Sequence, residues 1–220
     1  MLRSVLFISI CIFAVCTASA EVSVLAGGRA GLNISNLRKF STPTDYKKRV
    51  ILGSDLAAFL RIDFNKYIGI QTEVEFIQKG QRWNRTLDSA KLTSKSVLNY
   101  IQFPILAVAR VGSDKVKGVF LFGPYFAYWS GGYSQDAVSV DKQTTTAITN
   151  KYNFTHQDMR FDVGIVTGAG IDIKVGKKGW VEFTARHNAG LLSIAKKNSG
   201  MPKLYNNSFN LSFGYIYIIK

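Results

Sequence analysis

Residues 160–174 read Arg-Phe-Asp-Val-Gly-Ile-Val-Thr-Gly-Ala-Gly-Ile-Asp-Ile-Lys, and apolar side chains occupy nearly every second position. Ile165 and Ile171 fall on one face of this stretch, whereas Asp162 and Asp172 fall on the other face together with glycines. A period of two is the pattern of a β-strand whose side chains point alternately to opposite sides. The stretch therefore predicts a strand that separates an apolar environment from a polar one.

The same period continues through most of the chain after residue 20, although residues 117–132 are apolar on both faces. Aromatic residues and glycines are common and prolines are scarce, which is a composition that favours β-structure. Eight segments are each long enough for a tilted strand that crosses a bilayer in about ten residues. We predict strands at approximately 22–36, 50–64, 67–79, 96–111, 117–132, 158–175, 180–194 and 207–219.

The connections between these segments alternate between short and long. The long ones are predicted at 37–49, 80–95, 133–157 and 195–206. Outer-membrane barrels have short periplasmic turns and longer extracellular loops. The sequence therefore predicts an all-β fold, an eight-stranded antiparallel up-and-down transmembrane β-barrel in a bacterial outer membrane, with both termini periplasmic.

Residues 1–20 have the features of an export signal. A basic residue, Arg3, precedes an apolar stretch of about ten residues that is too short for a membrane-spanning helix, and Ala18 and Ala20 fit a cleavage site. We predict a signal peptide at 1–20 and a barrel domain at 21–220. Both cysteines, Cys11 and Cys16, lie in the signal segment, so the exported chain is expected to have no disulfide.

A soluble β-sandwich or a lipocalin-like barrel also shows alternation, because such folds turn their apolar face inward. The density of charge of both signs on the polar face favours the membrane barrel. In a narrow lumen these groups can pair across the barrel, with glycines making room. The predicted lumen charge network contains Arg29, Asp55, Arg61, Asp63, Glu73, Glu75, Arg160, Asp162, Asp172, Lys174, Glu182 and Arg186.

Aromatic residues near the strand ends give a second reason to favour the membrane. Amphipathic rings concentrate at the two interfaces of transmembrane barrels. We predict interfacial girdle positions at Tyr100, Tyr125, Trp129, Tyr215 and Tyr217.

The formal net charge of +14 is concentrated in the predicted long loops. An export signal argues against nucleic acid as the partner of this charge, whereas phosphate-bearing lipid suits an exported basic protein. We predict that the loops contact outer-membrane lipid and lipopolysaccharide, with a solvated loop surface as the alternative. The lipopolysaccharide-facing residues are predicted to be Lys47, Lys48, Arg49, Arg82, Arg85, Lys196 and Lys197.

Several strand motifs resemble the PorT-like outer-membrane β-barrel family of Bacteroidetes. They are Tyr-Ile-Gln-Phe-Pro-Ile-Leu at 100–106, Gly-Pro-Tyr at 123–125, the glycine-rich 160–170 and Glu-Phe-Thr-Ala-Arg-His-Asn at 182–188. The resemblance implies a single-domain barrel in the outer membrane. Its name-giving member serves a secretion and gliding-motility apparatus, so the resemblance also implies a possible role in secretion. These motifs are strand patterns and specify the fold better than the role.

No residue pattern indicates catalysis. The exported chain has only His156 and His187, too few nitrogen and sulfur ligands for a zinc site. Ser193 lies six residues from His187, about 20 Å along a strand and too far for a nucleophile–base pair. We therefore predict no catalytic residue, no cofactor and no metal.

Two non-enzymatic functions remain open at this point. The first is a structural or partner-binding barrel, which includes a component of an envelope or secretion apparatus. The second is a small-solute pore or outer-membrane transport protein. An eight-stranded lumen is normally filled by side chains, which favours the first.

Overall fold

The structure is a computed structural model, and it describes residues 22–39, 47–87, 90–140, 143–196 and 203–220. The predicted signal peptide lies outside the described residues. All regular secondary structure in the described residues is β-strand. The strands are β1 (Ser23–Lys39), β2 (Lys47–Arg49), β3 (Ile51–Asp63), β4 (Ile68–Leu87), β5 (Ala90–Gly112), β6 (Val116–Val140), β7 (Gln143–Lys151), β8 (Phe161–Val175), β9 (Gly179–Ser193) and β10 (Leu204–Ile218).

Eight of these strands form a closed antiparallel barrel. Around the ring the order is β1, β3, β4, β5, β6, β8, β9 and β10, and β10 pairs with β1 to close it. Closure pairs each of these eight strands with a neighbour on both sides, so the ring itself has no edge strand. The prediction of an eight-stranded antiparallel membrane barrel is confirmed.

The barrel has a turn end and a loop end. Three tight connections, 64–67, 113–115 and 176–178, lie at the turn end, where Asn65 accepts hydrogen bonds from the backbone of Tyr67 and Ile68. The backbone nitrogen of Val24 donates to the carbonyl of Lys220, so the first and last strands meet there.

Two predicted long loops are wrong in extent, because strands continue through them. β4 and β5 stay paired as far as Leu87 and Ala90, and β6 continues to Val140 and then pairs with β7. The alternation of apolar and polar residues stops in these extensions of β4, β5 and β6 and in β7, because the extended strands have no apolar environment on either side. We call the assembly of β2, the loop-end halves of β4, β5 and β6, and β7 the outer sheet.

The outward face of the barrel is apolar around the ring. Large side chains such as Leu32, Phe122 and Phe161 are more than half exposed, which is expected in lipid and unfavourable in water. Tyr215 and Tyr217 also point outward, as predicted.

The predicted girdle position is wrong for three of the five residues, because Tyr100, Tyr125 and Trp129 are buried inside the barrel. Tyr100 shares its face with Gln102, so an even position on β5 points inward. On β6 the odd positions point inward as far as Trp129, and a register shift then changes the parity. The apolar character of both faces of β6 hid this register.

The interior has a polar wall and an apolar wall. Charged and amide side chains project inward from β1, β3, β4, β9 and β10, while β5 and β6 contribute mostly aliphatic and aromatic ones. β8 lies between the two walls and contributes Asp162 and Asp172 as well as Val166. Glycines make room for large interior rings. A Cβ on Gly27 would lie 2.3 Å from the ring of Phe59, and one on Gly164 would lie 2.4 Å from that of Tyr125.

Candidate functional site: the filled lumen and the basic rim

Arg29 lies at the centre of the polar wall. Its guanidinium group reaches Asp55 at 2.5 Å, Glu73 at 2.9 Å and Glu75 at 2.6 Å. These carboxylates come from β3 and β4, the two strands that follow β1 around the ring. The cation is completely buried, and its several charge-assisted hydrogen bonds offset the cost of removing the charges from water.

Two further arginines connect this centre to the opposite side of the barrel. Arg186 on β9 donates to Glu73 at 2.8 Å. Arg61 reaches Asp172 at 2.9 Å and Glu182 at 2.6 Å, both more than 100 residues away in the sequence. Side chains from five strands therefore bridge the lumen.

Lys79 extends the network towards the loop end. Its ammonium group donates to Gln102 at 2.8 Å and lies 3.7 Å from Asp162. The centroid of the Tyr125 ring lies 4.4 Å from the same nitrogen, a cation–π distance. Asp162 also accepts hydrogen bonds from Tyr125 and Asn206.

Two residues predicted for the lumen network do not join it. Lys174 has an inward parity but lies at the turn end, where its side chain is exposed. Arg160 precedes β8 and packs over the rings of Phe154, at 4.0 Å, and Tyr128, at 4.5 Å. The alternation identified their face correctly, but their positions at the ends of the strand remove them from the carboxylates.

Several lumen residues lie outside the predicted charge network. Lys79 and Arg110 are buried cations, and Arg110 pairs with Asp63 at the turn end. Gln71 and Gln102 are buried amides that connect charged groups. Their inward parity on β4 and β5 is visible in the sequence, but parity alone does not show which polar side chains meet a charged partner in the lumen.

A cap of aromatic side chains closes the loop end. The segment 152–160 folds against the mouth of the barrel, and Tyr152 and Phe154 pack on Trp129 with ring centroids 4.5 and 5.0 Å away. The Tyr152 hydroxyl donates to Asp158 at 3.0 Å. Burial, followed by this hydrogen bond, raises the pKa of Tyr152. The turn end is closed by a second apolar cluster that includes Phe59 and Trp180.

Basic residues gather on the outward face of the outer sheet. The pairing of β2 with β4 places Arg49 directly opposite Arg82, and the pairing of β4 with β5 places Arg82 opposite Lys95. We call these three residues the basic ladder. Residues opposite one another in neighbouring strands point to the same side of a sheet. Lys47 and Lys91 share this face at the ends of the ladder.

The other predicted lipopolysaccharide-facing residues are dispersed. Lys48 points to the opposite side from the ladder and lies over the ring of Trp83 at 5.5 Å. Arg85 is half-buried near the end of β4. Lys196 is exposed after β9, and Lys197 lies outside the described residues.

Among the described residues His187 contacts no nucleophile, and His156 is exposed. His187 contacts Asn207 at 2.9 Å on the outward face. The hydroxyl of Ser193 donates to the carbonyl of Ala195, away from His187. No group of three or more His, Cys, Asp or Glu side chains among the described residues is placed to hold a metal ion.

No helix in the described part of the chain has both the length and the apolar composition required to span a membrane.

A closed ring of eight strands with an apolar outer face and a charged, filled interior defines a transmembrane β-barrel. The particular family follows from its sequence, since residues 18–196 match the outer membrane protein beta-barrel domain. The chain belongs to this family and is a bacterial outer-membrane barrel protein. No curated protein matches the chain.

Solved structures of outer-membrane proteins resemble the chain at low identity. Ail, the attachment invasion locus protein of Yersinia pestis, is 13% identical, with a TM-score of 0.39 over 88% of this chain and 98% of that one. OprG from Pseudomonas aeruginosa is 12% identical, with a TM-score of 0.43 over 90% and 96%. Neisserial surface protein A is 13% identical, with a TM-score of 0.40 over 90% and 98%.

Proposed function

We propose that this chain is a partner-binding barrel of the outer membrane, with its turn end and both termini in the periplasm. The outer sheet and the aromatic cap then face the cell exterior. The connection lengths support this orientation, because short turns are periplasmic in outer-membrane barrels.

The observation that carries the proposal is the free edge of the outer sheet. Within the described residues β7 pairs with β6 on one side alone. An exposed strand edge presents unpaired amide and carbonyl groups that recruit a strand from another chain. Ile148, a large apolar side chain, is 54% exposed on β7, which adds a contact for such a partner.

The filled lumen argues against the alternative of a small-solute pore. Trp129, Arg61 and Arg186 are among the largest completely buried side chains, and they come from different sides of the ring. Apolar clusters close both ends. We therefore expect no steady conductance after reconstitution in planar bilayers, and sustained channels in most insertions would restore the pore as the better function.

Truncation of the β6–β7 hairpin tests the proposal directly. Replacing residues 136–148 by Asn-Gly joins Gln135 to Thr149, which are opposite one another in the pairing. We expect wild-type protein extracted in mild detergent to migrate as a complex larger than the barrel, and the truncated variant to migrate as the barrel alone. Thr149→Ser, which keeps the β7 backbone, is the matched control and should behave as wild type.

Folding of each variant is checked by its heat-modifiable migration on a detergent gel. Equal complex mass for wild type and a folded truncated variant would show that the edge of β7 does not bind the partner. The specific role as a PorT-like secretion component has a separate test. A deletion strain should accumulate exported cargo in its envelope, and unchanged secretion would reject that role while leaving partner binding open.

Lipopolysaccharide is the proposed lipid partner of the basic residues on the loop side. The cations concerned are those of the basic ladder and its neighbours. Each exposed cation near an anionic membrane surface contributes about 1 kcal/mol, and salt screens this attraction.

A further inference from the structure

The basic ladder places like charges directly opposite one another on three neighbouring strands. Arg49, Arg82 and Lys95 form a row across β2, β4 and β5 that is about 10 Å long, given the spacing of neighbouring strands. Like charges in directly opposed positions destabilise a sheet. Among the described residues none of the three forms an ion pair, and Lys95 has its ammonium nitrogen 5.8 Å from the ring centroid of Tyr133. No carboxylate among the described residues therefore neutralises the row.

The next strands supply no compensating acid on this face. Lys95 is opposite Gln135 on β6, and Gln135 is opposite Thr149 on β7. Asp136 is adjacent in sequence to Gln135 and therefore points to the other side of the sheet. The ladder is thus a cationic row, without an acidic partner among the described residues, on a surface of paired strands.

The height of the ladder matches the polar layer of the outer leaflet. Ile68 begins β4 at the turn end, and Arg82 lies fourteen residues further along the same strand. For a strand tilted by about 40° this corresponds to about 35 Å along the barrel axis. The apolar band of a transmembrane barrel is about 25 Å tall. The ladder therefore lies about 10 Å beyond the band, from where long basic side chains reach the head groups.

The ladder also points in the right direction for lipid. Arg82 has the same parity on β4 as Phe76, and Lys95 has the same parity on β5 as Ile101. Phe76 and Ile101 belong to the lipid-facing surface of the barrel. The ladder consequently faces sideways, towards lipids that surround the barrel, and not upwards into the medium.

We propose that the basic ladder is a binding site for the phosphate groups of lipid A, the membrane anchor of lipopolysaccharide. The two guanidinium groups can each hold a phosphate through paired hydrogen bonds, and Lys95 adds a point charge. This inference deepens the proposed lipopolysaccharide contact and depends on the loop end being extracellular. It is independent of partner binding at the edge of β7.

The test compares lipid A that carries both phosphates with enzymatically dephosphorylated lipid A. Folded protein in detergent micelles is titrated with each, and the apparent affinity is read from native mass spectrometry. We expect the phosphorylated form to bind wild type at least about tenfold more tightly, as several cationic contacts of about 1 kcal/mol each imply. The ladder variant R49S/R82S/K95S should lose this preference.

A matched control removes three exposed lysines from the turn end. The control variant K66S/K115S/K177S changes the net charge equally, and its substitutions lie in the three tight turns. It should keep the wild-type preference for phosphorylated lipid A. The proposal would be overturned if the folded ladder variant kept the wild-type preference for phosphorylated lipid A. It would also be overturned if the control variant lost this preference as much as the ladder variant.

Two further measurements separate the remaining outcomes. The single variant Arg82→Gln should lose part of the preference, which keeps the test decisive if the triple variant does not fold. Inorganic phosphate that binds wild type as tightly as lipid A would reject a lipid site in favour of a general anion site. If labelling of intact cells places the outer sheet in the periplasm, the proposed orientation fails, whereas the binding of purified protein to lipid A still reports on the ladder.

Discussion

Arg29 and Arg82 have the same side chain and point to opposite sides of the barrel wall. Arg29 contacts three carboxylates within 2.9 Å and is buried, whereas Arg82 has a cation opposite it on each side and is exposed. In the lumen a cation without partners would be prohibitively unfavourable, because water cannot solvate it there. At the rim water and external anions are available. The difference shows that lumen cations stabilise the fold, while rim cations are available for recognition.

The largest effect is expected from Arg29→Met. The substitution keeps an unbranched side chain but leaves Asp55, Glu73 and Glu75 without their shared cation. Breaking a buried ion network in this way costs about 3–5 kcal/mol. The measurement is urea unfolding of the barrel in micelles, followed by tryptophan fluorescence. A loss of unfolding free energy below about 1 kcal/mol would show that water reaches the polar wall. Lys115→Met, at the exposed turn, is the control.

A smaller loss is expected from Lys79→Met. Asp162 loses the ammonium group at 3.7 Å but keeps the donors of Tyr125 and Asn206, at 3.0 and 2.8 Å. Removing one partner from a buried hydrogen-bonded group costs about 1–3 kcal/mol. Gln102 also loses its donor at 2.8 Å, so we expect a loss of about 2 kcal/mol, smaller than for Arg29→Met. The same unfolding experiment checks the order. If Lys79→Met lowers the free energy of unfolding as much as Arg29→Met does, the charge network acts as one unit.

Arg82→Gln should change stability in the opposite direction. Removing the central charge of the ladder relieves repulsion by about 0.3 kcal/mol in micelles that contain no anionic lipid. Raising the salt concentration should stabilise wild type by screening, and this response should be weaker in the variant. Destabilisation of the variant without lipid would show that Arg82 has an internal partner and would remove the contrast with Arg29.

The smallest effect is expected from Lys174→Gln. This residue lies on the inward-facing parity of β8, but its side chain is exposed at the turn end and contacts no carboxylate in the described residues. We expect the unfolding midpoint to be unchanged. A clear shift would place Lys174 in the lumen network after all and would extend the polar wall to the end of the strand.

The strands differ in how much of their geometry the sequence predicts. Residues 161–175 alternate sharply, and β8 has nearly the bounds and the inward face that were predicted. β6 is apolar on both faces, so the sequence left its register uncertain, and the structure turns Tyr125 and Trp129 inward. Periodicity shows which side chains face the lumen when the two sides of a strand differ in polarity. When both sides are apolar, the sequence does not distinguish the inward face from the outward one.

The sequence alone determined the class of this protein. Eight strand-length segments, most of them amphipathic, with alternating connections favour a closed barrel in lipid, because only closure satisfies every backbone group there. The tertiary structure decided which charges meet. Arg61 and Glu182 are 121 residues apart, and their contact depends on the register of strands on opposite sides of the ring. The row of Arg49, Arg82 and Lys95 likewise exists only because β4 continues beyond the membrane and pairs with β2 and β5, a pairing that local periodicity does not encode.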